Sequence, residues 1–393
     1  MCNPRVLLLN WRDMANPLAG GAEVHIWEVF RRLAAQGWNV SAICASHKGL
    51  LPWETVDGIE VHRCGGPYGY YFALPWVYRR VSKESPPHFV IDFMNKLPLF
   101  SPLYVREPVI CFVHHLFGSA ASLDAGRLAG LTVGSFERFV RPVYARTPCL
   151  AGSASTLREL ESIGLPRENL AAVPYGVHTS FYGPGQKSLQ PNILYVGRLK
   201  RYKGITDLIE VVPRLLESFP GLCVKIAGQG GLEAGLRALI ARLRLEKCVE
   251  LCGFVSEEAK RTLYQEAWTA CFPSAKEGFG LTVPEAALCG TPTVGYDVPG
   301  LNDAIQDGET GLLVPFGDKT GLYEALRRML ADAELRARLS QNAQQVYSSF
   351  SWDSAAEQTK EAIFSILQHR WPHLLDALST GAGRVEGRTR EYS

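Results

Sequence analysis

The sequence predicts an α/β protein built from two doubly wound domains. Short apolar runs alternate with segments whose apolar residues recur every three or four positions, which is typical of a parallel sheet covered by helices. A stretch rich in Gly, Pro and polar residues at 176–191 interrupts this alternation. The length of 393 residues suits two or three domains, each with its own core. Because such sheets bind ligands at the carboxyl ends of their strands, we expect a cleft shared by the two domains.

The first part of the chain, residues 1–183, is expected to form one domain. It opens with a strand, a polar Gly-rich loop and a helix whose apolar residues Val24, Trp27 and Phe30 share one face. A strand that follows Gly37 completes a βαβ unit, and the alternation is weaker further along. We predict strands at 5–9, 39–45, 58–63, 88–92 and 109–113, and helices from 21 and at 156–163.

The second part, residues 190–350, repeats the alternation more regularly and is expected to form the other domain. A last helix at 352–370 comes after this sheet is complete. The polar tail at 377–393 is expected to be disordered because it has almost no apolar content. We predict strands at 192–196, 222–227, 248–252, 269–272, 293–296 and 311–314, and helices at 205–219, 232–243, 256–266, 282–288, 319–331 and 333–350.

Charge, cysteine spacing and hydropathy argue against several classes of protein. A net charge of +2 lacks the basic excess of a nucleic-acid-binding protein. The ten cysteines form no C-x-x-C pair, which argues against a zinc site and favours free thiols in a reducing compartment. No signal-peptide core is present, and no uncharged apolar run approaches the ~18 residues that span a bilayer. We expect a cytoplasmic protein, and peripheral contact at the inner face of the membrane stays open.

The most informative motif is SAKEGFGLTVPEAALCG at 274–290. It leads from the end of a predicted strand through a Gly-rich loop into a helix that begins near Pro284. Free N–H groups at such a helix start bind anions, and small residues let the anion approach the backbone. A glutamate in a first helical turn is ordinary, which accounts for Glu285 but not for Glu277 in the loop itself. The motif therefore favours a functional loop.

A second motif, YVGRLKRYKG at 195–204, lies in the corresponding loop after the first strand of the second domain. Arg198 and Lys203 follow a glycine at the point where this strand ends. A guanidinium and an ammonium directed at one point suit a diphosphate, whose oxygens need hydrogen-bond donors and counter-charge. A solvated basic loop accounts equally well for Lys200 and Arg201. Together with the loop at 277–285, the motif predicts a diphosphate site.

Two motifs of the first domain point to the same cleft. Gly20 and Gly21 stand at the start of the first helix, where the backbone can approach a phosphate, although a role in loop geometry alone is equally compatible. His114 follows an apolar strand and can donate to a substrate hydroxyl or act as a base; the alternative is a packed, neutral core histidine. The position at a strand end favours a functional role for His114.

Three familiar motifs are absent from the sequence. There is no D-x-D, so neither a bridging Mg²⁺ or Mn²⁺ nor any other metal cofactor is expected. There is no P-loop and no G-x-S-x-G, which argues against P-loop nucleotidases and serine hydrolases. Without a metal, Arg198, Lys203 and the helix start are left to neutralise a departing diphosphate.

Together these motifs resemble glycosyltransferase family 4, the retaining nucleotide-sugar enzymes of the GT-B fold. The resemblance extends over about residues 4–367, and within the family the chain looks most like bacterial mannosyl- and glucosyltransferases of polysaccharide and glycolipid biosynthesis. It implies two Rossmann-like domains facing a central cleft, with the C-terminal helix crossing back to the first domain. The residues that carry it are Gly20-Gly21-Ala22-Glu23, His114, Gly197-Arg198, Lys203-Gly204, and Glu277 with Glu285 eight positions later.

The resemblance also implies roles for individual residues. Glu285 accepts hydrogen bonds from the ribose, Glu277 holds hydroxyls of the donor sugar, and His114 lies beside the transferring sugar. The adjacent His115 stands where relatives often carry an acid, so its role stays open. The implied catalytic residues are His114, Arg198, Lys203 and Glu277; the implied donor-binding residues are Gly21, Arg198, Lys203, Val255, Glu277, Phe279, Gly280, Leu281 and Glu285, and no residue is assigned to a metal.

The acceptor is expected to bind to the first domain. The stretch NWRD at 10–13 lies beside the Gly-Gly loop and makes Arg12, Asp13 and Gly20 acceptor-binding candidates. The segment 68–83 combines six aromatic residues with Arg79, Arg80 and Lys83. It suits a surface that faces a membrane or a glycan, and it suits helix packing equally well.

The motifs and the resemblance together predict a metal-independent hexosyltransferase, and the resemblance implies that it is retaining. Its donor is a UDP- or GDP-sugar, and its acceptor is a hydroxyl of a glycan, a lipid-linked or a small-molecule substrate. A sugar-nucleotide epimerase, a phosphorylase of the same fold and a non-catalytic glycan- or nucleotide-binding protein stay open as alternatives. The sequence determines neither the donor base and sugar nor the acceptor, the linkage and the oligomeric state.

Overall fold

A computed structural model of the chain describes residues 3–94, 97–116 and 135–380 and contains two sheets. The first sheet consists of β1 (Arg5–Leu9), β2 (Asn39–Ala45), β3 (Trp53–Val56), β4 (Ile59–Cys64), β5 (Phe89–Met94), β6 (Val109–Val113), β7 (Cys149–Ala151) and β8 (Leu170–Ala172). The strand order across this sheet is β3-β4-β2-β1-β5-β6-β7-β8. All pairings are parallel except that of β3 with β4.

Both faces of the first sheet are buried. Along β1, Val6 and Leu8 join one apolar cluster, whereas Leu7 and Leu9 join another, because successive side chains of a strand point to opposite faces. A strand that is buried on both sides needs a continuous apolar run, which explains the sequence VLLL. The helices of this domain are α1 (Gly21–Ala35), α2 (Gly66–Glu84), α3 (Val140–Tyr144) and α4 (Ala154–Ser162).

The second sheet is entirely parallel, in the order β11-β10-β9-β12-β13-β14. A single large apolar cluster joins it to the surrounding helices. Its strands are β9 (Asn192–Val196), β10 (Cys223–Ala227), β11 (Val249–Gly253), β12 (Thr269–Phe272), β13 (Thr293–Asp297) and β14 (Gly311–Pro315). Its helices are α5 (Ile205–Ser218), α6 (Glu233–Arg242), α7 (Glu257–Glu266), α8 (Thr282–Leu288), α9 (Leu301–Ala304), α10 (Lys319–Ala331) and α11 (Ala333–Tyr347). The prediction of an α/β protein with two doubly wound sheets is therefore confirmed.

The C-terminal helices return to the first domain. Helix α12 (Trp352–Arg370) buries Ile363 and Leu367 in the apolar cluster of the first sheet. Arg32 of α1 forms an ion pair of 2.5 Å with Asp353, and this pair holds the N-terminal turn of α12. Helix α13 (Pro372–Thr380) then covers the first residues of the segment expected to be disordered, and residues 381–393 lie outside the described part of the chain.

The sequence analysis predicted neither the strands β3, β7 and β8 nor the helices α2, α3, α9 and α13. Strand β3 forms an antiparallel hairpin with β4, and α2 covers most of the aromatic segment at 68–83. Among the residues that the structure describes, no helix has both the length and the apolar character that a bilayer crossing needs.

Candidate active site

Four loops meet between the two sheets and enclose a cavity of about 290 Å³. From the first domain come the loop between β1 and α1 and the residues after β6; from the second come the loops after β9 and β12. Each loop follows the carboxyl end of a parallel strand, where the peptide N–H groups and side chains of α/β folds converge on a ligand. Among the cavity-lining residues are His114, Arg198, Lys203 and Glu277, which the sequence analysis assigned to catalysis.

Lys203 and Glu277 form the ionic centre of the cavity. The Lys203 ammonium lies 2.6 Å from Oε1 of Glu277, and the Ser274 hydroxyl donates to the same oxygen at 2.7 Å. Lys203 and Glu277 retain only 15% and 16% side-chain exposure, so solvent screens the pair weakly. Close approach of the loop at Gly300 fixes Glu277 further, because a Cβ at Gly300 would lie 2.2 Å from the Glu277 carbonyl oxygen.

Arg198 reaches across the cleft toward the Gly-Gly loop. A Cβ on Gly20 would come within 3.3 Å of the Arg198 Nη2, and one on Gly21 within 3.5 Å of Leu281. The glycines therefore let the two domains approach each other at the cavity. The Tyr195 hydroxyl, which donates to the Arg198 carbonyl at 3.2 Å, holds the base of this loop.

His114 is buried at the end of β6, with 1% exposure. Its Nδ1 lies 3.0 Å from the hydroxyl of Tyr175, whereas its Nε2 has no hydrogen-bond partner in the described part of the chain. Burial, followed by the neighbouring His25 and His115, lowers its pKa well below the ordinary value. The imidazole is therefore neutral near pH 7. If the Tyr175 hydroxyl donates to Nδ1, Nε2 carries the proton and can donate it to a ligand.

Glu285 and Val255 do not line the cavity. Glu285 stands in the first turn of α8, and its two carboxylate oxygens accept from the Lys260 ammonium and the Tyr264 hydroxyl, each at 3.1 Å. Burial raises the pKa of this carboxyl, and the Lys260 charge opposes that effect. Val255 packs against the core of the second domain. The predicted donor-binding residues that line the cavity are Gly21, Arg198, Lys203, Glu277, Phe279, Gly280 and Leu281.

Comparison with known proteins identifies the family. The model of glycosyl transferases group 1 matches residues 183–346, and that of glycosyltransferase family 4 matches residues 19–181. The chain is 30% identical to the glycogen synthase of Mycobacterium tuberculosis, over 91% of this chain and 94% of that protein. It is 35% identical to an uncharacterized glycosyltransferase of Methanocaldococcus jannaschii, over 90% and 96%. The chain belongs to glycosyltransferase family 4.

Solved structures of this enzyme's fold support the assignment. The sucrose-phosphate synthase of Thermosynechococcus elongatus superposes with a TM-score of 0.80 at 20% identity, over 93% of this chain and all of that one. Anabaena Alr3699/HepE, solved in complex with UDP-glucose, gives a TM-score of 0.74 at 19% identity, over 92% and 99%. These structures confirm the predicted GT-B fold, and the family models and relatives confirm the prediction of a glycosyltransferase.

One predicted acceptor-binding residue of the glycosyltransferase has a different role. Asp13 is fully buried and forms two hydrogen bonds with Arg63, from Nε at 2.7 Å and from Nη2 at 2.9 Å. It also accepts from the Ala15 N–H at 2.9 Å. These bonds satisfy the carboxylate inside the first domain, so Asp13 is a structural counter-ion and not a candidate for contact with the acceptor. Arg12 and Gly20 do line the cavity.

The sequence analysis assigned no role to Tyr175, which joins both halves of the site. Besides its bond to His114, the ring of Tyr175 stacks on Phe279 at 5.1 Å and lies 4.6 Å from the His25 ring. Gly152 makes room for it, because a Cβ there would lie 2.2 Å from the Tyr175 ring. The sequence signal that could have pointed to Tyr175 is its position between β8 and β9, in the segment that connects the two domains. In the glycosyltransferase, Tyr175 therefore links His114 of the first domain to Phe279 of the second.

Acid is expected to destabilise the enzyme through His25. Burial lowers the pKa of His25 to about 3, from an ordinary value of 6.5. The unfolded chain binds a proton below pH 6.5 and the folded chain does not, so this contribution to stability is complete above pH 6.5 and is lost progressively down to about pH 3. Replacing His25 with Phe removes it. We expect the fall in free energy of unfolding between pH 7.5 and pH 5.5 to shrink by about 1.3 kcal/mol in H25F. Equal pH dependence of urea unfolding in both proteins would contradict this.

Proposed function

We propose that this glycosyltransferase moves a hexose from a UDP- or GDP-sugar to a hydroxyl of a glycan, lipid-linked or small-molecule acceptor, with retention of configuration. The observation that carries the proposal is the cavity shared by His114, Arg198, Lys203 and Glu277. The UDP-glucose complex of Anabaena HepE, whose fold this chain shares, supports a nucleotide-sugar donor.

The departing diphosphate is stabilised by cations of the second domain. Arg198 and Lys203 both line the side of the cavity formed by the β9 and β12 loops. Backbone N–H groups of Gly280, Leu281 and Gly21 add hydrogen bonds to the phosphate oxygens. Fixed charges of this kind act most strongly where water is excluded. We propose that they replace a metal ion, so transfer is expected to continue unchanged in excess EDTA.

The sugar is oriented by Glu277 and His114. The Glu277 carboxylate accepts hydrogen bonds from sugar hydroxyls, and His114 Nε2 donates one from the first domain. Positive charge develops on the sugar as the bond to the diphosphate breaks. The acceptor oxygen then bonds to the same face of the anomeric carbon, and its proton passes to the departing phosphate. This sequence of bond changes retains the anomeric configuration.

The proposal is tested first by donor binding. UDP, GDP, ADP and their sugars are screened for a rise in Tm, because a ligand that binds only the folded protein stabilises it. The best donor is then supplied with candidate acceptors, and the anomeric configuration of the product is determined by NMR. Conversion of the donor to an epimer without acceptor would indicate an epimerase, and binding without turnover would indicate a non-catalytic protein; either result would overturn the proposal.

We also propose that the enzyme works in the cytoplasm of a bacterium, in polysaccharide or glycolipid biosynthesis, with peripheral contact to an anionic membrane surface. Along α2, Phe72, Trp76, Arg79 and Lys83 follow one another at helical spacings of four, three and four. Phe72 is 82% exposed and Trp76 71% exposed. Aromatic side chains beside exposed cations suit the interface of an anionic bilayer. Trp11, which lines the cavity, donates to the carbonyl of Pro67 at the start of α2, so the aromatic end of this face lies near the first-domain side of the cavity.

Vesicle co-sedimentation checks this surface. Each cation near an anionic bilayer contributes about 1 kcal/mol. The triple variant R79Q/R80Q/K83Q is therefore expected to bind vesicles containing phosphatidylserine about 100-fold more weakly than the native enzyme. The matched control R242Q/K247Q/R328Q, at three exposed cations of the second domain, should bind normally. Equal vesicle binding by both triple variants would reject the proposal that this face of α2 contacts a membrane.

A further inference from the structure

The cavity contains more positive charge than its own carboxylates neutralise. Among the described residues, four cations line it: Arg12, Arg198, Lys203 and Lys276. Lys203 is paired with Glu277 at 2.6 Å, and Lys276 with Glu159 of the first domain at 2.5 Å. Arg12 and Arg198, in contrast, have no carboxylate within 4 Å in the ranges that the structure describes. Two guanidinium groups are therefore available to anionic ligands.

Arg12 is held in place although no carboxylate of the described ranges pairs with it. Its Nη1 donates to the Leu18 carbonyl at 2.7 Å, and its Cζ lies 4.0 Å from the centre of the Trp11 ring. Trp11 is itself anchored to Pro67 at 3.2 Å. A guanidinium has five N–H donors, so most of its hydrogen-bonding capacity remains for a ligand. The side chain is thus pre-organised, which distinguishes it from a freely solvated arginine.

The surroundings of Arg12 favour the arrival of an anion. Burial lowers the pKa of Arg12, Glu23 raises it, and the nearby Arg198 lowers it again. Glu23, the acid that raises this pKa, is 6% exposed and accepts the Gly20 N–H at 2.7 Å, so its carboxylate is engaged in capping α1. A half-buried cation that faces another cation is stabilised when a negatively charged group enters between the surrounding loops.

We propose that Arg12 binds a negatively charged group of the acceptor, a phosphate or a carboxylate. The inference rests on the proposed function, which assigns Arg198 and Lys203 of the second domain to the donor diphosphate. Arg12 belongs to the first domain and lines the cavity together with Gly20 and His114, and we place the acceptor on this side. Arg12 is then a specificity-determining residue that selects anionic acceptors over their neutral analogues.

The test uses inorganic phosphate and glucose 6-phosphate as probes, with glucose as the neutral control, at constant ionic strength. The enzyme is first saturated with whichever nucleotide diphosphate raises its Tm. Phosphate or glucose 6-phosphate is then added at about ten times its own Kd, and we expect this second anion to raise the Tm by a further ~1–3 °C. R12M should lose this second rise, R12K should keep part of it, and the matched surface control R328M should keep all of it.

The outcomes separate this inference from the proposed function. If no nucleotide stabilises the enzyme, the proposed function fails. If nucleotide does but the anions add nothing, or act equally on R12M, the inference about Arg12 is overturned. Competition between phosphate and nucleotide that disappears in R12M would assign Arg12 to the donor and would also overturn it. Once an anionic acceptor is known, R12M should raise its KM at least tenfold and change the KM of the neutral analogue less.

Discussion

Glu277→Gln is expected to lower kcat/KM for sugar transfer by about 100- to 1,000-fold. The amide keeps the shape of the side chain but removes the charge that pairs with Lys203 and accepts from Ser274. Hydrogen bonds to a charged acceptor contribute about 1.5–3 kcal/mol each. The amide oxygen still accepts hydrogen bonds, so weakening two of them, to the sugar and to the lysine, is expected to cost about 3–4 kcal/mol in the transition state. Initial rates with the donor chosen by thermal shift measure this effect.

The control for this variant is E361Q, which changes an exposed glutamate of α12 in the same way. It is expected to have native kinetics. If E277Q retained native kcat/KM with an unchanged Tm, the assignment of Glu277 to the reaction would be wrong. A rise in donor KM at constant kcat would instead assign Glu277 to ground-state binding alone.

Asp13→Asn is expected to reduce the free energy of unfolding by about 3–5 kcal/mol. Both Asp13 and Arg63 have no exposed side-chain surface, and two hydrogen bonds join them. Removing the negative charge leaves the guanidinium buried, and Glu54, which is partly exposed, is then its remaining acidic partner among the described residues. Urea unfolding followed by tryptophan fluorescence measures the loss.

D353N is the matched control, since it breaks another Asp–Arg pair between the same residue types. Asp353 is 84% exposed, and exposed ion pairs contribute only about 0–1 kcal/mol. We expect its unfolding curve to lie close to that of the native enzyme. Native stability of D13N together with a raised acceptor KM would return Asp13 to the acceptor site.

Local hydrophobic patterns predicted most of the strands and helices, because the apolar residues of each element pack into the core of its domain. The hairpin of β3 and β4 was missed, although Asp57-Gly58 is a common hairpin turn. Both residues have positive φ, 51° and 80°, as that turn requires. Helix α2 was missed because its buried face includes tyrosines, whose hydroxyl groups make the apolar pattern hard to recognise in the sequence. Tyr70 and Tyr78 are buried along it, and the Tyr70 hydroxyl reaches the Ile43 carbonyl at 2.9 Å.

For the candidate site, the sequence motifs were informative where a single loop supplied several charged side chains. Arg198 and Lys203 could be predicted as an anion site because both lie in one loop at the end of a strand. The role of Glu277 toward the sugar came from the family resemblance and stays a prediction. Asp13 was misassigned because proximity to a glycine loop in sequence does not reveal Arg63, which lies 50 residues away on β4. Tyr175 was overlooked for the same reason, as its partners His114 and Phe279 come from different domains.

The sequence by itself determined the α/β class, the order of most strands and helices, and the chemical types of side chain that the loops offer. It could do so because hydrophobic period and turn chemistry are local properties. Only the tertiary structure decided which charges remain available to ligands. Lys203, Lys276 and Asp13 are paired, whereas Arg12 and Arg198 lack an acidic partner within 4 Å in the described part of the chain. Ion pairing depends on distances between residues that are remote in sequence, and folding alone brings these residues together.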